Sequence, residues 1–155
     1  MHTLARQPSV LFWAFLFPAY VIAFFLFASA ASSYLGGWHA LTQRFRTEGV
    51  FGGSIWNYQS ASMRGFLNYG NCLTVGASTA GLYLRPFILL RFCHPALFIP
   101  WHEIRVKNER FFMQKVTTLY LSSEHSIPMR IRPQLTQKIR SAAGDQWPEQ
   151  AESRP

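Results

Sequence analysis

A chain of 155 residues that is 49% hydrophobic and 16% aromatic but only 14% charged is too apolar for disorder and close to one ordinary domain in size. Its two cysteines stand outside any Cys-x-x-Cys pair, which excludes a disulfide-dense scaffold, a paired-cysteine zinc finger and a thioredoxin-like motif. The net charge of +8 does not point to nucleic acid, because the 15 Lys and Arg are scattered from Arg6 to Arg154 and build no dense basic face with stacking aromatics.

After an N-terminal flank, residues 1–9, the stretch 10–31 reads VLFWAFLFPAYVIAFFLFASAA and carries no charge. Its 22 residues at ~1.5 Å each span ~33 Å, enough to cross a hydrocarbon core of ~30 Å. This predicts a transmembrane helix, with a mild kink at Pro18. The competing reading is a secretory signal, since Arg6 precedes the apolar run and Ala28-Ser29-Ala30 offers a small-x-small cleavage site. The 18 apolar residues before that site exceed the ~7 to 15 usual in a signal peptide, which favours the anchor. Cleavage after Ala30 would instead release a secreted or periplasmic β-domain with a structural envelope role, in which Cys72 and Cys93 could pair. The chain beyond the apolar run holds 14 of the 15 basic and all seven acidic residues, a net charge of +7. Positive segments are easier to retain than to export, so the C-terminal part is expected on the cytoplasmic side.

Residues 32–53, glycine-rich and mixed in polarity, read as a juxtamembrane linker in which Trp38 suits either lipid headgroups or ordinary packing. From residue 54 the texture changes to short alternating or apolar runs broken by Gly, Pro and Asn, at 55–63, 72–77, 81–84, 87–92, 96–99, 103–107, 116–121 and 127–131. Seven or eight sequential strands predict an antiparallel meander. The turn 77–81 joins two of them, with Gly81 free to take positive φ, and Pro95 and Pro100 bracket a run suited to an edge or corner. Residues 133–144 then make a short helix with Pro133 in its first turn, Leu135, Ile139 and Ala142 on one face and Gly144 as its stop. The polar tail, 143–155, is expected to be disordered.

Gly81-Leu82-Tyr83-Leu84, followed by Arg91-Phe92-Cys93-His94-Pro95-Ala96-Leu97-Phe98-Ile99-Pro100-Trp101-His102-Glu103-Ile104, resembles bacterial membrane-anchored proteins with a pleckstrin-homology-like (PH-like) domain. In these a Gly-Leu strand start precedes an Ile-Pro-Trp-x-Glu-Ile strand entry. Over residues 54–142 the resemblance implies a mainly β fold, an antiparallel sandwich or partly open barrel capped by a short C-terminal helix. It implies no catalytic residues, and the basic lipid-binding loop of eukaryotic relatives has no dense counterpart between Cys72 and Arg91.

Residue chemistry points the same way. The five histidines show no ligand spacing, with His94 and His102 eight apart across two prolines, so neither metal nor cofactor is expected. Residues 76–81 miss the Gly-x-Ser-x-Gly elbow by one residue and precede no helix, which makes Ser78 a turn residue rather than a nucleophile. The glutamates give no paired-carboxylate pattern, so no enzyme or small-molecule substrate is expected. Basic residues Arg105, Lys107, Arg110, Lys115, Arg130, Arg132, Lys138 and Arg140 are the candidate contacts to an anionic leaflet or a partner protein. The candidate set retained from these is Arg105, Lys107, Arg130, Arg132, Lys138 and Arg140, against the plainer alternative of a solvated face.

Overall fold

The computed structural model describes residues 10–91, 94–111 and 114–148. The N-terminal flank and the end of the tail lie outside the described residues.

Helix α1 spans Val10–Gly36 and carries Pro18 within it. It runs five residues past the expected end at 31, because the polar residues there are absorbed by the helix and its packing: the Ser32 hydroxyl donates to the Ser29 carbonyl at 2.8 Å, and Ser29 and Ser33 are buried. Gly37, at φ 82°, breaks the helix in a conformation that side chains resist. Every residue from Trp13 to Ala28 is exposed. The helix is long and apolar enough to cross a membrane.

The expected linker is largely structured. Helix α2, Trp38–Phe45, buries Trp38, Leu41 and Phe45 on one face. Trp38 therefore belongs to the core and not to a headgroup layer: it is wholly buried, and its Nε1–H donates to the Pro95 carbonyl at 3.0 Å. Beyond α2 the chain straps the sheet. Arg46 bridges Leu97, the Thr47 amide donates to the Ala96 carbonyl, and the Phe51 ring lies on Gly76, stacked against Tyr83 at 4.8 Å between centroids. A Cβ at Gly76 would stand 2.7 Å from that ring, so only glycine lets the strap lie flat.

Seven strands follow: β1 Ser54–Met63, β2 Leu67–Ala77, β3 Gly81–Pro86, β4 Leu97–Pro100, β5 Ile104–Phe111, β6 Gln114–Leu121 and β7 Ile127–Ile131. They form one antiparallel sheet in the order β4-β3-β2-β1-β7-β6-β5. The two outermost strands are joined by only Trp101–Glu103, a single 3-10 turn. So short a link brings opposite edges together at one end, and the sheet curls into a half-barrel. Helix α3, Pro133–Ala143, begins on Pro133, turns Leu135, Ile139 and Ala143 into the half-barrel, and ends at Gly144 with φ 57°. The fold is therefore mainly β, an N-terminal apolar helix followed by an antiparallel half-barrel with a C-terminal helix.

Three further expectations change. The run 87–92 is not a strand: the Phe87 amide still pairs with the Cys72 carbonyl, but Leu90 and Arg91 donate back to Phe87 and Ile88, closing the 3-10 turn Ile88–Leu90. A short apolar run has no periodicity to tell these apart, and Phe92 lies outside the described residues. Gly81 does not take positive φ; it is needed for close approach, since a Cβ there would meet the Ile99 carbonyl oxygen at 2.5 Å. The tail does not fray at once, because Gly144–Gln146 forms a 3-10 turn and Trp147 packs its ring on Trp101 at 5.7 Å.

Candidate functional site

The six basic residues singled out above do not form one patch. Arg105 and Lys107 point outward from β5, and the register carries Lys107 through Thr118 to Arg130 on β7. This row is partly neutralised. Lys107 pairs with Glu109 at 3.1 Å, and Thr118 donates to Glu109 at 3.2 Å; with Arg130 nearby they hold the Glu109 carboxyl below its usual range against the opposing effect of burial. Arg132 precedes α3, while Lys138 and Arg140 sit on its exposed sides. Arg110 is exposed at the far end of β5, and the side chain of Lys115 lies outside the described residues.

A second cluster, which sequence reasoning did not single out, lies where β1 and β2 lose register. Pairing shifts twice between Trp56 and Ala61, and Tyr58 and Asn71 take φ of 55° and 50°. Such bulges re-aim side chains. Tyr58, Asn57 and Asn71 line, with Thr74, Arg85, Phe87, Ile88 and Arg91, an open cleft of about 310 Å³. Thr74 donates to Asn57 at 3.0 Å and Ser60 to Asn71 at 2.9 Å, fixing the polar wall. Among the described residues neither Arg85 nor Arg91 has a carboxylate within ion-pair distance. The signal in the sequence was an apolar run bracketed by two arginines; reading that run as a strand hid it.

Two buried polar centres tie the elements together. The Glu103 carboxylate accepts from the Ser123 hydroxyl at 2.6 Å, the Ser123 amide at 2.9 Å and Arg44 of α2 at 2.7 Å. The Ser123 bonds above all, with Arg44, hold its carboxyl below the usual range despite burial. His94, wholly buried, shares a hydrogen bond of 3.0 Å between Nε2 and the Tyr69 hydroxyl and packs against Trp38. Burial pushes its pKa down, opposed by the Leu90 carbonyl, and Nδ1 makes no hydrogen bond. Burial likewise raises the Tyr69 phenol and the half-buried Cys72 thiol. Cys93 lies outside the described residues.

Ser78 is occupied as a turn residue: its hydroxyl accepts from the Ala80 amide and its carbonyl from Trp101 Nε1–H at 2.8 Å. His102 is exposed, one residue from the Glu103 centre. Among the described residues no three of His, Cys, Asp and Glu converge on a metal-sized site. Compared with protein-family models, with curated proteins and with solved structures, the chain matches none.

Proposed function

We propose that the chain is a single-pass membrane protein whose α1 holds a PH-like β-domain directly on the cytoplasmic face of the bilayer, as an interaction module for a partner protein or the membrane surface. The observation that carries this reading is the change of burial along α1. Residues 13–28 expose phenylalanine, leucine and tyrosine on every side, which a helix in water does not sustain, and Ser29, Ser33 and Gly36 are then buried. From residue 10 to residue 28 the helix covers ~28 Å, close to one hydrocarbon core. Its last two turns dock on the domain, leaving almost no tether.

A helix unbroken through Ala28, Ser29 and Ala30 also favours an anchor over a cleaved signal. The strand order and the C-terminal helix support the PH-like reading, and the positive charge beyond the span supports cytoplasmic placement. Strand β5 has one neighbour, so its outer edge is open to an extended segment of a partner, with Arg105 and Lys107 alongside. The reading assigns no reaction to the domain.

Alkaline carbonate extraction of membranes carrying the C-terminally tagged chain tests it. The chain should stay in the pellet at full-length mass, with the tag cut by protease only in inside-out vesicles. A mature chain starting at Ala31, or one released by carbonate, overturns the anchor. Protection of the tag in inside-out vesicles overturns the sidedness.

A further inference from the structure

We propose that the 3-10 turn following β3, Phe87 to Arg91, is a second membrane contact, in which Phe87 and Ile88 enter the interfacial layer while Arg85 and Arg91 hold the phosphates of anionic lipid headgroups. The inference rests on the anchored reading above and deepens it by naming a lipid partner and the residues that meet it.

Four observations carry it. Outside α1, Ile88 is 63% and Phe87 46% exposed, neighbouring apolar side chains on one short turn. The exposure is held by the fold: Phe87 is fixed to Cys72 at 2.7 Å on one side and Leu90 accepts from the His94 amide at 3.1 Å on the other. Arginines flank the turn in sequence and line the cleft beneath it, and neither has a carboxylate partner among the described residues. A guanidinium is a planar fork of donors matched to a phosphate, and two of them framing an apolar tip is the pattern of an interfacial contact. Asn57, Asn71 and Thr74 add polar groups beside the arginines, and the exposed ring of Tyr58 suits the headgroup level.

The fourth observation is position. Leu90 is bonded to His94, His94 to Tyr69, and the Tyr69 hydroxyl lies 3.3 Å from where a Cβ of Gly36 would stand, at the end of α1. Trp38, the first residue of α2, is bonded to Pro95 just beyond. The loop is thus fastened to the docked end of the anchor, and from Gly36 back to Ala28 the helix runs only ~12 Å to the residues left exposed. A loop held so close to the bilayer, apolar at its tip and cationic at its base, has a lipid surface as its nearest occupant. Two contacts would fix the orientation of the half-barrel, where a single helix permits rotation.

The test uses the full chain reconstituted in vesicles, with Cys72→Ser, Cys93→Ser and a single reporter cysteine from Ile88→Cys carrying an environment-sensitive fluorophore. Vesicles are phosphatidylcholine alone or with about a third phosphatidylglycerol, an anionic surface. With anionic lipid the label should be quenched by lipids spin-labelled near the headgroup and protected from an aqueous quencher, while a label at Gln134→Cys on α3 stays aqueous. Arg85→Gln with Arg91→Gln should lower the inserted-to-withdrawn ratio roughly 30-fold on the scale of one surface charge per arginine. A label at 88 that stays aqueous in both vesicles overturns the contact while carbonate retention leaves the anchor standing; a chain lost from the vesicles overturns both. Insertion equal in both lipids and indifferent to the arginines overturns the headgroup role. Withdrawal by millimolar-range inorganic phosphate at constant ionic strength would assign the arginines to a free anion instead, and overturn the lipid assignment. A Phe87→Ser, Ile88→Ser chain without a label, equally stable but with weakened protection of nearby Tyr58 from aqueous iodination, gives an independent confirmation; unchanged protection counts against it.

Discussion

Helix α1 and the half-barrel draw on the same apolar alphabet and spend it in opposite ways. Phe15 and Phe24 of α1 are 79% and 62% exposed, whereas Leu84, Leu119 and Met129 of the sheet are wholly buried. In α1 no spacing distinguishes one face from another. In β6 and β7 the buried apolar residues alternate, Leu119 and Leu121 facing inward together with Ile127, Met129 and Ile131. The difference teaches that hydrophobic content says only that apolar surface must be hidden; the period of the pattern says whether the protein hides it from water itself or leaves that to another apolar medium. The boundary between the two regimes lies inside α1, at Ser29.

The largest effects should separate these two regions. Leu84→Ala or Met129→Ala removes a wholly buried side chain and is expected to cost about 2–5 kcal/mol, through lost transfer energy and the cavity left behind. Phe24→Ala removes more atoms, yet should move the domain's unfolding midpoint by less than about 0.5 kcal/mol, since its ring touches no core. Denaturant unfolding of the full chain in detergent, followed by tryptophan fluorescence, measures both. Equal losses would break the comparison, because α1 would then be packed as part of the domain along its whole length.

Much of this division was legible in the sequence, for physical reasons that can be named. Residues 10–31 were recognisable because an uncharged run of that length has few other uses. Seven strands and α3 followed from alternation and from Pro133 and Gly144, whose backbone requirements are local. What was not legible depended on distant partners. Trp38 suited headgroups and ordinary packing equally until α2 placed it against Tyr69 and His94. The run 87–92 looked like a strand because apolar content does not report a missing neighbour. The cleft was hidden for the same reason: Arg85 and Arg91 are brought to Asn57 and Asn71 by bulges that pairing creates, and no single run announces it.

The joint between the regions is the next place to press. Gly37 has φ 82° and a Cβ there would lie 2.8 Å from Ile127 Cδ1, so Gly37→Val combines a strained backbone with a clash. A loss of about 1–3 kcal/mol is expected in the same unfolding assay. Protease cleavage near residue 37 should rise as the last turns of α1 leave the domain. Glu103→Gln acts from the other side of α2. It keeps the shape but removes the charge that Arg44 and Ser123 are arranged around, for about 1–3 kcal/mol. The other partner of Arg44, Glu124 at 3.3 Å, is an exposed pair worth little, so Arg44→Gln in the same background should add only a small further loss if Arg44 and Glu103 share one interaction.

The smallest effect is the most specific, and it concerns the pH dependence of the docking between α1 and the domain. His94 is held below its ordinary value of 6.5 because burial disfavours the imidazolium, and among the described residues no carboxylate faces it: its ring neighbours are Trp38 and Tyr69. The unfolded chain therefore binds a proton on this residue at a higher pH than the folded chain does. Stability is complete above about pH 6.5 and falls as the pH drops below it, until the folded histidine also protonates. The slope cannot exceed about 1.4 kcal/mol per pH unit for one proton. Glu103 and Glu109 have lowered values, so their contribution is present above their usual 4.5 and is lost only at lower pH. The two windows do not overlap between pH 5 and 6.5 on the ordinary carboxylate and imidazole scales. A stability curve in that interval should slope in the native chain and flatten in His94→Phe, which removes the titrating group and its bond to Tyr69 together. Tyr69→Phe separates the two causes, because it deletes the hydrogen bond and leaves a buried, titrating imidazole, and so should lower the curve while keeping its slope. If the slope survives in His94→Phe, the proton is taken up elsewhere, and the contact between the end of α1 and the half-barrel is not what mild acid loosens.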